Sequence, residues 1–104
     1  MRQLNFHHLY YFWTVAKEGH LTRAAEQLHV SQSALSSQIR QLQEQLGQEL
    51  FTRQGRSLQL TDMGHVVLEY AQSIFSLGNE LLSVTESGEL RHLQRLRIGS
   101  VATL

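Results

Sequence analysis

The chain has 104 residues, 41% of them apolar and 17% charged. That balance fits a small folded domain and excludes a disordered chain. The absence of cysteine excludes disulfides and thiolate metal sites. No apolar run approaches the roughly 18 residues needed to cross a membrane, and no apolar signal core follows the first residues, so a cytoplasmic location is expected.

Net charge is zero, but its distribution is uneven. Residues 1–60 carry six cations (Arg2, Lys17, Arg23, Arg40, Arg53, Arg56) against four glutamates, whereas residues 61–104 carry three arginines against five acids. A partner bearing negative charge would therefore meet the first half, with neutral donors and helix N-termini sharing the contacts.

Without proline, helices are limited by glycines and caps. The first helix is expected from about Asn5, its N-cap, to Glu18, stopping at Gly19. Its apolar stripe reads Phe6, Leu9, Tyr10, Trp13 and Ala16, widened by Phe12 and Val15. Helical spacing assigns the Tyr10–Trp13 rings to packing rather than base stacking, with at most one ring exposed. A short second helix is expected from about Thr22, its cap, to His29, with Ala24, Ala25 and Leu28 facing inward. The third is capped by Ser31 and ends at Gly47, with Leu35, Ile39, Leu42 and Leu46 forming one stripe.

The period then changes to two. Leu50–Arg53 and Ser57–Leu60 are expected to be short strands around Gln54-Gly55-Arg56, a small wing. Thr61 caps a long fourth helix running to about Ser87-Gly88. Met63, Val67, Tyr70, Ile74, Leu77, Leu81 and Val84 alternate four and three apart along it, a heptad seam. Leu68, Ala71, Phe75 and Leu82 form a second stripe beside the first. Two stripes exceed what one partner covers, so one is expected to pack on its own domain and the other on a second chain. Gly64 and Gly78 each weaken this helix by up to ~1 kcal/mol relative to alanine. After Glu89, Leu96–Val101 alternates like an opening strand.

The expected fold class is thus mainly α: a winged helix-turn-helix of three helices and a two-stranded wing, followed by a long dimerisation or linker helix. The expected units are a winged helix-turn-helix DNA-binding domain at 1–60 and a long helix at 61–88. Small Ala24 and Ala25 and the tight turn Leu28-His29-Val30-Ser31 bring the second and third helices close, the layout of a helix-turn-helix. The third helix then offers Ser31, Gln32, Ser33, Ser36, Ser37, Gln38 and Arg40. Glutamine pairs with adenine through two hydrogen bonds in the major groove, and serine reaches bases or phosphates. Serine and glutamine on a helix surface are common by themselves. The full order of short helix, turn, capped helix and arginine-bearing wing carries the inference.

No enzyme is expected, because no nucleophile stands with a base and an orienting acid. The only aspartate, Asp62, suits a helix start. No metal or cofactor is expected either: adjacent His7 and His8 point ~100° apart on a helix, and the other histidines are scattered surface or capping residues. A competing class, a protein-interaction module using the fourth helix, draws on the zero net charge.

Leu21 to Ser36, Gln38-Ile39-Arg40-Gln41-Leu42, Leu46-Gly47, Leu50–Arg53, Gly55-Arg56 and Leu60–Gly64 together resemble the LysR-type transcriptional regulators, in one register across about residues 4–88. The opening Asn5–Trp13 is similar to their sodium/proton antiporter activator subgroup, and Leu96-Arg97-Ile98-Gly99 resembles the start of their effector-binding domain. The resemblance implies that the helix at 61–88 is a linker and that 89–104 are a hinge and the start of an effector-binding domain. The resemblance implies sequence-specific binding of double-stranded DNA by a homodimer on an interrupted palindrome. It also implies dimers or tetramers of full-length chains, and a small inducer bound by the missing domain. It implies base contacts from Gln32 and Ser33, and a minor-groove contact from Arg56. Backbone contacts are implied for Thr22, Ser31, Ser36, Ser37 and Arg53, and Arg40 joins them as an exposed cation on the same helix. Ser33 stands where the family often has proline, Ser37 where it often has arginine, and Gln43 where it often has glutamate.

Overall fold

A computed structural model of the chain describes residues 3–54 and 57–87. The elements run α1 (Phe6–Glu18), α2 (Leu21–Leu28), α3 (Gln32–Leu46), β1 (Phe51–Gln54), β2 (Ser57–Leu60) and α4 (Asp62–Ser87). The expected mainly helical winged helix-turn-helix with a long last helix is thus observed. The expected strand at 96–101, Gly55 and Arg56 lie outside the described residues.

Side-chain caps begin three of the four helices. Asn5 accepts a bond from His8 N–H, Ser31 from Ala34 N–H at 3.1 Å, and Thr61 from Gly64 N–H at 2.8 Å. Each satisfies an N–H that the first helical turn leaves without a partner. The second helix departs from expectation. Its N-cap is His20, which makes no side-chain cap bond, and Thr22 already lies inside the helix. The early start leaves the Thr22 hydroxyl free for another role.

Helices α2 and α3 end in the same backbone motif. His29 N–H bonds Glu26 carbonyl and Val30 N–H bonds Ala25 carbonyl; Gly47 N–H bonds Glu44 carbonyl and Gln48 N–H bonds Gln43 carbonyl. Both motifs need a left-handed residue, φ 69° at Gly47 and φ 58° at His29. Glycine adopts this without cost, whereas a histidine there carries backbone strain.

Leu9, Tyr11, Phe12 and Val15 are the buried residues of α1, and they meet Ala24, Ala25, Leu35, Ile39, Leu42 and Leu50 in the core. This corrects the expected α1 stripe: Phe6 and Tyr10 are exposed. A helix apolar on most of its surface offers several stripes, and tertiary packing chose the Leu9–Phe12–Val15 face. Of the four consecutive rings only Tyr10 is exposed; Trp13 is half-buried. It donates its indole N–H to Gln72 Oε1 at 3.1 Å and lies under the Lys17 ammonium at 4.1 Å.

The two strands pair antiparallel, Phe51 opposite Leu60 through Gln54 opposite Ser57. The first strand starts one residue later than expected: the N–H of Leu50, a fully buried core residue, goes to the Gln43 side chain rather than to a partner strand. Phe51 packs its ring on Phe12 at 5.2 Å. The root of the hairpin is held from both sides. Gln43 Oε1 accepts from Leu50 N–H at 2.8 Å and Phe51 N–H at 3.2 Å. Thr61 donates its hydroxyl to Glu49 carbonyl at 2.6 Å, and its N–H to Leu50 carbonyl at 3.0 Å. Gly64 explains itself at this joint: a Cβ there would stand 2.2 Å from the Leu50 carbonyl oxygen. The helix-propensity loss at residue 64 is the condition for α4 to approach the wing.

The chain divides into two compact units, Met1–Gln72 and Ser73–Leu104. On α4, Gly64 and Ala71 are buried, while Tyr70, Leu77 and Leu81 of the heptad seam are 68%, 66% and 63% exposed. Met63 is also exposed, and Val67 and Ile74 are half-buried. Val84 differs from the rest of the seam, being only 8% exposed within the single chain. Leu82 of the second stripe is exposed rather than packed.

Candidate nucleic-acid interface

The turn at His29 and the Ser31 cap leave the start of α3 at the surface. Ser31, Gln32 and Ser33 are all exposed. The Ser31 oxygen is committed to the cap, and it lies 3.3 Å from Ser33 Oγ. At 100° per residue, Ser33, Ser36, Ser37 and Arg40 fall within an arc of about 100°, away from the buried Leu35 and Leu42. Ser36 and Ser37 are half-buried and Arg40 is exposed. The positive dipole end of α3 lies at this same exposed end, a setting that favours anions.

Two clefts join this surface to the wing. The larger, about 480 Å³, is lined by His20, Thr22, Gln32, Arg53 and Ser57 among others. Its neighbour, about 210 Å³, is lined by Ser36, Arg40, Gln43, Thr52 and Arg53 among others. Arg53 borders both, exposed on β1 opposite Leu58. Within the larger cleft Gln32 Nε2 donates to Thr22 Oγ1. The fold thus brings Thr22, Gln32, Ser36, Arg40 and Arg53 together, with Ser31 and Ser33 adjoining. Ser37 lines neither cleft, and Arg56 lies outside the described residues.

Sequence reasoning missed His20, Ser57 and Gln43. Ser57 had a signal, as the exposed member of an alternating strand. Gln43 stood out only as a departure from the family's usual glutamate, and nothing in the sequence showed that its two bonds cross seven and eight residues to backbone groups at the wing root. His20 was expected as a surface or capping residue and is the exposed N-cap of α2; its place at the cleft follows from the fold. The His7 ring packs at a 52° tilt against Tyr11, with centroids 4.3 Å apart, and burial, then the neighbouring His7, lowers the pKa of His8. Among the described residues no group of three histidines or acids could hold a metal ion, and no helix is long and apolar enough to cross a membrane.

A short helix, a left-handed turn, a capped second helix and a two-stranded wing define a winged helix-turn-helix. Residues 6–65 match the bacterial regulatory helix-turn-helix proteins of the lysR family, and the chain belongs to that family. It is 43% identical over 84 residues to the transcriptional activator protein NhaR of Escherichia coli (strain K12), a match covering 81% of this chain and 28% of that protein. This agrees with the subgroup likeness of the opening segment. It is 41% identical over 95 residues to the RuBisCO operon transcriptional regulator of Allochromatium vinosum, covering 89% of this chain and 31% of that one. The chain therefore spans less than a third of the length of these relatives. Among solved structures, the BenM DNA-binding domain in complex with catB site 1 DNA superposes with a TM-score of 0.76 at 36% identity, covering 80% of this chain and 92% of that chain. Full-length CbnR complexed with its target DNA superposes with a TM-score of 0.71 at 36% identity, covering 80% and 29%.

Proposed function

We propose that this chain is the DNA-binding part of a LysR-type transcription regulator, acting without enzymatic chemistry. It binds duplex DNA sequence-specifically, as a homodimer on an interrupted palindrome. The observation that carries this reading is the outward amino end of α3, with Gln32 and Ser33 exposed beside the exposed Arg40 and Arg53. The DNA complexes of BenM and CbnR support it by similarity.

In this reading residues 1–60 contact DNA, 61–88 link and dimerise, and 89–104 lead into an effector-binding domain that takes a small inducer. Full-length chains would form dimers or tetramers. Each α3 enters a major groove, with half-sites one helical turn or a multiple apart. Gln32 and Ser33 contact base edges and Arg56 the minor groove. Thr22, Ser31, Ser36, Ser37, Arg40 and Arg53 contact the backbone. Dimerisation uses the α4 stripe of Met63, Val67, Tyr70, Ile74, Leu77 and Leu81. Val84, already covered in the single chain, contributes least.

Selection of bound sequences from a random duplex pool at low salt tests the reading. The expected product is a two-fold symmetric consensus; recovery of no enriched sequence would refute it. On the selected duplex, Gln32→Ala should cost about 1–3 kcal/mol and relax specificity at one position. Equal weakening on random DNA would reduce Gln32 to a positioning contact.

A further inference from the structure

The bond between Gln32 and Thr22 joins the first residue of α3 to the second residue of α2. Both side chains are exposed, so the bond adds little to the core, and its consequence lies in orientation. An unrestrained surface glutamine samples several rotamers, and its amide can present either face. A primary amide has two N–H donors and one carbonyl acceptor. Thr22 occupies one N–H, which leaves the second N–H and Oε1 as a donor–acceptor pair. That pair matches N7 and N6 of adenine in the major groove.

We propose that Thr22 is a specificity-determining residue that acts through Gln32, holding the amide in the rotamer and orientation that pairs with adenine. This deepens the DNA-binding reading and rests on it. The Thr22 hydroxyl accepts from Gln32 and keeps its own proton to donate, and a phosphate oxygen is the acceptor a duplex offers at this distance from a base edge. Donation to an anion polarises the hydroxyl and strengthens its acceptance from Gln32. One hydroxyl then connects a backbone contact to a base contact. Without it the amide inverts freely, and part of its contacts with the preferred base is lost.

The test compares wild type, Thr22→Val, Thr22→Ser, Gln32→Ala and the Thr22→Val/Gln32→Ala double variant on the selected duplex and on every single-base-pair change of it. Gln32→Ala should lose discrimination of about 5- to 100-fold at one position. Thr22→Val should lose about 2- to 10-fold at that same position, the scale of one side chain released from order. Thr22→Ser should retain it, and the double variant should discriminate no worse there than Gln32→Ala. In the free protein, the side-chain amide signals of Gln32 should move in Thr22→Val and stay in Thr22→Ser, at unchanged melting temperature. Uniform weakening of Thr22→Val on all duplexes with the wild-type profile intact, or unmoved amide signals, would overturn the role of Thr22 and leave the DNA-binding reading standing. A wild-type protein that enriches no duplex would overturn both.

Discussion

Leu42 and Leu50 sit fully enclosed in the winged helix-turn-helix, whereas Leu77 and Leu81 on α4 stand mostly in water. Residue type does not separate the two pairs; the number of surrounding elements does. In the first region three helices and a hairpin close around Phe12, Leu35, Leu42 and Leu50. On α4 these two leucines of the heptad stripe have no such enclosure, and covering what each still exposes would stabilise by about 1–2 kcal/mol. The first region completes its own packing. The stripe is the surface that the proposed dimer would cover.

The contrast is broken most strongly at its inner end. Phe12→Ala should destabilise the fold by about 3–5 kcal/mol in denaturant unfolding, because a fully enclosed ring leaves a cavity that rigid helices refill poorly. A loss under about 1 kcal/mol would mean the core is looser than its burial implies. Gly64→Ala comes next, at about 1–3 kcal/mol, with the added methyl driven against the Leu50 carbonyl. A neutral or stabilising result, as helix propensity alone would give, would show that α4 and the wing can part without cost. The outer end should give the smallest change in stability. Leu77→Glu with Leu81→Glu should alter unfolding of the single chain by about 0.5 kcal/mol or less, yet convert sedimentation from dimer to monomer. Unchanged sedimentation would remove the stripe from the interface.

Much of this was legible in the sequence. The caps at Asn5, Ser31 and Thr61 and the stop at Gly47 could be read from local chemistry, since each acts within a few residues. The polar start of α3 followed from them. Local chemistry failed where two answers satisfied it equally. Thr22 had the composition of a cap, but the helix began at Leu21 behind an N-cap that makes no side-chain bond. The α1 stripe included the buried Leu9, Phe12 and Val15 but also the exposed Phe6 and Tyr10, because a helix so rich in apolar residues does not say which side turns inward. Gln43 and Gly64 took their meaning from backbone groups of the wing root, and no spacing rule reaches that far.

The clamps on the hairpin root bear on how such a surface meets a duplex. Gln43 from α3 and Thr61 from the start of α4 tie the hairpin root to both helices, which opposes pivoting of the wing against them. In the proposed DNA-bound state, side chains offered by α3 and Arg53 on β1 would therefore approach the duplex like prongs of one fork, with their spacing set by these bonds. Under that reading little freedom would be left to lose on docking.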